Sequence, residues 1–139
     1  CIRCDTCDGY PCLVQAKSDA EISAVRPIMA QSNVTLLTEA KVLKLHTSPS
    51  GREISSVEVA MQDPQSGQTQ VQQFSGDVVV LSCGAINSAV LLLRSANEHH
   101  PNGLANRSDL VGRNFMKHVL GSIIGVSQKP NPTLFQKTL

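Results

Sequence analysis

The stretch that most constrains the fold runs from Asp77 to Ser95, DVVVLSCGAINSAVLLLRS. Val78-Val79-Val80-Leu81 is a short continuous apolar run, the pattern of a strand buried on both faces. Ser82-Cys83-Gly84-Ala85 supplies only small residues, with no room for a long loop. The run holding Val90, Leu91, Leu92 and Leu93 and ending at Arg94 is too long and leucine-rich for another strand. It reads as a helix with Asn87 or Ser88 as its cap. Strand, tight turn and helix together place backbone N–H groups at a helix N-terminus, where an anionic ligand can approach closely. The turn matches neither GxxxxGK[ST] nor GxGxxG. Such junctions occur throughout α/β proteins, and most bind nothing, so by itself the stretch fixes a fold class and only suggests a ligand.

Composition narrows the function classes. The chain has 139 residues, enough for a domain with its own core. A formal net charge of +1, with no Lys/Arg cluster, argues against a nucleic-acid surface. Aromatic content of 3 % without Trp disfavours a base-stacking platform. No apolar run approaches the roughly 20 residues that span a bilayer. Residue 1 is Cys and no signal-peptide pattern follows it, so the expectation is an internal fragment of a longer protein, soluble, with the cytoplasm favoured over export.

Along the chain, residues 1–16 are punctuated by Cys, Gly and Pro and read as a loop. Ser18 with Glu21 three residues later fits a capping box. It opens a helix that carries Ile22, Val25 and Met29 on one side, short or kinked because of Pro27. Asn33–Thr38 reads as a strand by β-branched content. Lys41–Thr47, Glu53–Met61 and Thr69–Phe74 read as three further strands, separated by the turn sequences Ser48-Pro49-Ser50-Gly51 and Asp63-Pro64-Gln65-Ser66-Gly67. They form an antiparallel meander inserted between a helix and the buried strand at Val78. Val119–Val126 reads as a last strand, and Ser127 onward as a Pro-rich connector.

Four segments, in order, resemble the glucose–methanol–choline (GMC) flavin oxidoreductases: Cys4-Asp5-Thr6-Cys7-Asp8-Gly9-Tyr10-Pro11-Cys12 with Ala16-Lys17; Asn33–Thr38 with Val42 beyond it; the Asp77–Ser95 stretch, similar to the family's G-A-x-x-S turn entering a helix; and Asp109–His118, similar to D-x-V-G-x-N-x-x-x-H. The resemblance implies FAD and the oxidation of an alcohol or sugar hydroxyl. It also implies which residues stand near the cofactor: Val42, meeting the adenine through its backbone; Cys83, Gly84, Ala85 and Ser88 near the adenosine and pyrophosphate; and Gly112, Asn114 and His118 on the segment leading toward the substrate domain. Glycine lets main chain approach a diphosphate, which agrees with that placement. Departures mark a divergent branch, because Ser88-Ala89 and Ser95-Ala96-Asn97-Glu98 replace the usual Ser-Pro and Ser-Gly-Ile-Gly. The family's GxGxxG and its catalytic His with a His or Asn partner have no match here.

The implied architecture is α/β: part of an FAD-binding Rossmann-like domain with an inserted antiparallel β-meander. Residues 1–126 would be a partial FAD domain lacking its first dinucleotide-binding unit, and residues 127–139 the start of a substrate-binding domain. The implied function is that of a fragment, itself inactive, of an FAD-dependent oxidoreductase transferring hydride to flavin, with its catalytic His elsewhere. Its partners are a small-molecule alcohol or sugar and an electron acceptor the residues do not specify. An alternative comes from Cys1, Cys4, Cys7 and Cys12, spaced C-x2-C-x2-C-x4-C. Thiolates so spaced suit zinc or an iron–sulfur cluster in an electron-transfer module, a disulfide in an exported protein, or plain structural thiols. A third reading is a relative that keeps the fold and has lost catalysis. Cys83 reads as a small core residue. His46, His99 and His100 read as facing solvent, and His118 is the only histidine in a family motif.

Overall fold

The computed structural model describes residues 1–2, 12–63, 65–119, 121, 125–126 and 128–130. The chain divides into two compact units, one made of residues 1–36 and 120–139, the other of residues 37–119.

In the first unit a π-helical turn, Glu21–Val25, runs into a four-residue α-helix, Arg26–Met29 (α1), with Pro27 in its first turn. Proline lacks an N–H and fixes φ, so it suits a helix start and not a helix interior. The expected short helix is therefore present. Its cap differs from expectation. The Asp19 carboxylate, not Ser18, accepts the Ile22 N–H at 2.9 Å, while Ser18 Oγ pairs with Ser23 Oγ at 2.9 Å. Arg26 closes on Glu21 at 2.8 Å, an exposed pair that contributes little.

The second unit is built on a three-stranded antiparallel sheet, β1 (Ala40–Thr47), β2 (Ile54–Gln62) and β3 (Thr69–Phe74), in the order β1-β2-β3. The expected meander is present, with strand ends shifted by no more than one residue. Helix α2 (Gly84–Arg94) packs against β1. Leu45 of β1, Leu91 of α2 and Leu104 of the following loop form the buried core, with Val42, Ile54, Val57, Leu81 and Leu92 packed around it. Val42 and Leu45 are an odd number of residues apart, and in a regular strand would point to opposite faces. A register shift between Val42 and Lys44 removes the conflict, because an extra residue at Leu43 brings both side chains to the α2 side.

Two expected strands are absent. Residues 33–38 and 78–81 form no ladder, and Val78 and Val80 are 81 % and 79 % exposed. The described residues of 119–126 are likewise outside any strand, and the rest of that run lies outside the described residues. The physical reason is common to the segments at 33–38 and 78–81. A buried strand exists by its hydrogen-bonded neighbours, and β-branched content supplies a preference for the conformation but no neighbour. Among the described residues no strand lies beside these segments.

The β2–β3 turn carries a pH signature. Asp63 Oδ1 accepts the N–H groups of Gln65 at 2.8 Å and Ser66 at 3.3 Å. These donors, Gln65 foremost, hold the carboxyl below its ordinary value. Depression means that the stabilisation is complete above the ordinary aspartate range and is lost as pH falls through the lower folded value. The Gln65 amide resonance is expected to titrate with a midpoint below that of a free aspartate. A midpoint at or above it contradicts the turn geometry.

Candidate functional site

The residues singled out by the resemblance occupy three places in the second unit. Val42 sits on β1, which among the described residues pairs with β2 on one side only. The bulge beside it leaves local backbone groups outside the regular ladder, which is how an edge strand can offer main-chain hydrogen bonds to something else.

Cys83, Gly84, Ala85 and Ser88 form the start of α2. The helix begins at Gly84, three residues before the expected cap at Asn87, and Ser88 acts inside the first turns by accepting the Cys83 N–H at 3.1 Å. Cys83 is exposed and not a core residue, as are Gly84 and Ala85. The absence of a packed strand before it explains the exposure. Gly84 has φ +78°, and the space where a Cβ would stand is empty to 4 Å. The first N–H groups of a helix have no intrahelical acceptor and carry the positive end of its dipole. This end is exposed, has open space at Gly84 and carries no acidic residue in its first turn. It fits the phosphate of a nucleotide cofactor.

Gly112 lies against the far end of the same helix, and Asn114 and His118 follow it in the chain. A Cβ on Gly112 (φ +79°) would stand 3.1 Å from Leu93 Cδ1, so this turn is packed on the last turn of α2. Asn114 has φ +56°, and both Asn114 and His118 are exposed. At about 1.5 Å per residue, Gly84 and Leu93 are about 14 Å apart along the helix. Gly112 itself therefore stands at the opposite end of the helix from Gly84.

The loop linking them holds what the sequence reading missed. Ser95 is fully buried, donating to Leu91 O at 2.7 Å and accepting the Leu45 N–H at 2.9 Å, which joins the end of α2 to β1. Asn97 Nδ2 donates to Thr47 Oγ1 at 3.2 Å, and its Oδ1 accepts the N–H groups of His99 and His100 at 2.9 and 3.0 Å. Asn106 is 2 % exposed and bonded at both ends of its amide. Asx side chains capping nearby backbone are an available signal in Asn97-Glu98-His99-His100 and Asn106-Arg107-Ser108-Asp109, but no periodicity shows which of them are buried.

Two histidines depart from the expectation of solvent exposure. His100 is half-buried and contacts Gly51 O at 2.7 Å; the acceptor is a carbonyl, so Nε2 carries the proton. His46 is also half-buried, with Nε2 2.9 Å from Glu58 Oε2 across the sheet. His99 is exposed, as expected.

Of the proposed cysteine ligands, Cys4 and Cys7 lie outside the described residues. Cys1 is exposed, and Cys12 Sγ accepts the Ala16 N–H at 3.2 Å. That bond, followed by one from Val14, holds the Cys12 thiol below its ordinary value. Among the described residues no three His, Cys, Asp or Glu side chains converge as a metal site, and no helix is long and apolar enough to cross a membrane.

Comparison with known proteins identifies the family. The family model for GMC oxidoreductase matches residues 3–120. The chain is 37 % identical over 113 residues to the 6'''-hydroxyparomomycin C oxidase of Streptomyces lividus, covering 81 % of this chain and 20 % of that protein. It is 33 % identical over 131 residues to the paromamine 6'-oxidase of Streptomyces fradiae, covering 94 % and 23 %. The fructose dehydrogenase large subunit of Gluconobacter japonicus is 35 % identical over 83 residues, covering 60 % and 14 %. The chain thus spans about a fifth of the length of the first two relatives. With the family's model matched over most of its length, the chain belongs to the GMC oxidoreductases.

Proposed function

We propose that this chain is the adenosine-side portion of a Rossmann-like FAD domain, in an oxidoreductase that oxidises a hydroxyl of a small alcohol or sugar. The observation that carries the reading is the exposed start of α2, with open space at Gly84, in a chain of this family. The relatives bear the names of oxidases and dehydrogenases acting on hydroxylated small molecules, which supports the substrate class. FAD, when bound, supplies the two-electron acceptor for hydride.

The chain's own residues bind and orient. The first N–H groups of α2 meet the diphosphate, the edge backbone at Val42 meets the adenine, and the Gly112–Asn114 turn runs along the cofactor toward the substrate. His118 lines this segment. Residues 1–126 make part of the FAD domain and residues 127–139 lead into the substrate domain. The proton-accepting histidine comes from outside these residues, because the family's catalytic His with its His or Asn partner has no match among them. The exposed apolar side chains of Val78, Val80, Phe115 and Met116 would be covered by the rest of a protein of the relatives' length.

The test uses the full-length protein that contains this chain. It is expected to purify with flavin absorbance that bleaches anaerobically on addition of a polyol or aminoglycoside substrate. Gly84→Val is expected to weaken flavin binding about tenfold, because a β-branched residue resists φ near +78° by about 1–2 kcal/mol. A folded full-length protein with no affinity for flavin overturns the reading.

A further inference from the structure

The loop from Gly103 to Asn114 holds five left-handed residues, Gly103, Ala105, Asp109, Gly112 and Asn114, and three of them are not glycine. Ala105 opposes its own conformation by about 1–2 kcal/mol, and Asp109 and Asn114, whose short polar side chains tolerate it, by less. The loop therefore keeps this path only if something over-determines it. Arg113 braces Asp109 from outside, through Nη2 to Oδ2 at 2.6 Å and Nε to the carbonyl at 2.7 Å, but both side chains are 61 % exposed. The interior brace is Asn106. Its Nδ2 donates to Asn102 O at 2.7 Å and its Oδ1 accepts the Val111 N–H at 2.9 Å. Its backbone carbonyl accepts the Asp109 N–H at 3.1 Å. One buried amide thus fixes the start of the loop to the residue immediately before Gly112.

We infer that Asn106 is a positioning residue for cofactor binding, fixing through Val111 where the Gly112–Asn114 turn stands. The inference rests on the proposed role of that turn toward FAD. The geometry needs a donor and an acceptor on one short planar group, so few side chains can replace it. Aspartate has the right size, and when protonated offers one O–H donor and one acceptor, whereas ionised it accepts only and faces the Asn102 carbonyl. The ionisable groups nearby are Arg107 and Asp109 on the same loop, and His99 and His100, which line a cleft with Asn106. All four are also present in the native protein, so it serves as the control for their titration.

The experiment measures the flavin dissociation constant of the full-length apoprotein, native and Asn106→Asp, at pH 5.5 and pH 8, together with hydrogen exchange at the Val111 amide. At pH 8 the variant is expected to bind flavin about tenfold more weakly than native, the effect of one broken buried hydrogen bond, with faster Val111 exchange. At pH 5.5 the difference should shrink to about threefold or less as the acid form restores the donor. Asn106→Ser, which has no reach to span both partners, should bind weakly at both pH values. It replaces the aspartate variant as the test if that variant does not fold. A variant that is less heat-stable than native, yet binds flavin as tightly at both pH values, makes Asn106 purely structural and overturns the inference while leaving the proposed function standing. Native protein that binds no flavin overturns the functional reading and the inference with it.

Discussion

Gly103→Ala is expected to destabilise the junction between α2 and its loop by about 3 kcal/mol or more, the largest single-residue effect anticipated for this chain. Two effects act together. Gly103 has φ +100°, beyond the left-handed well that alanine tolerates at a modest penalty. A Cβ there would also stand 2.9 Å from Leu93 Cα and 3.0 Å from Leu92 O. Both are backbone atoms, so no rotamer change relieves the overlap. Leu92 O is also the acceptor for Leu104 N–H at 2.9 Å, and any retreat lengthens that bond and withdraws Leu104 from the core. Gly67 provides the internal control. It has φ +67° and open space to 4 Å around a built Cβ, so Gly67→Ala carries only the conformational penalty of about 1 kcal/mol. Chemical denaturation of the two variants side by side measures the difference. If Gly103→Ala is no worse than Gly67→Ala, the close approach of the loop to α2 is wrong.

Ser95→Ala is expected to destabilise by about 2 kcal/mol, the range for a buried polar group left without its partner. The side chain is fully buried and contributes the acceptor for the Leu45 N–H. Leu45 lies in the core, and alanine offers that N–H nothing while water has no route in. The matching observable is local: hydrogen exchange at the Leu45 amide should accelerate more than at the paired β2–β3 amides. Equal acceleration across the sheet would falsify a specific clasp between α2 and β1. Ser95→Thr is the milder comparison, since it keeps the hydroxyl and adds one methyl to a site with no spare volume.

The meander was legible because its strands are local. Turn chemistry at Ser48–Gly51 and Asp63–Gly67 separates the three runs, and each strand pairs with its chain neighbour. The helix at Gly84–Arg94 was legible for the same reason, its leucine-rich run being long enough to exclude a strand. Its start was not, because Ser88 resembles a cap and instead bonds the Cys83 N–H from inside the first turns. Val78–Leu81 reads as a buried strand; it is no strand, and of its residues only Leu81 packs on the core. Hydrophobicity states that a segment favours burial and leaves open which chain supplies the neighbour. The candidate site divides in the same way. The glycines and the Asp109–Asn114 pattern stand in the sequence, whereas nothing in it marks Ser95 or Asn106 among the other Ser and Asn residues.

The sequence by itself determined the antiparallel meander, the helix after the small-residue turn and the family pattern, since these depend on residues close in the chain and on their side-chain types. The tertiary fold added that Val42 and Leu45 share a face through a bulge, that Gly112 packs on the last turn of α2, that buried Ser95 ties the end of α2 to β1, and that buried Asn106 ties Asn102 to Val111. Each of these depends on which distant backbone groups are removed from water together, and that is fixed by packing in space.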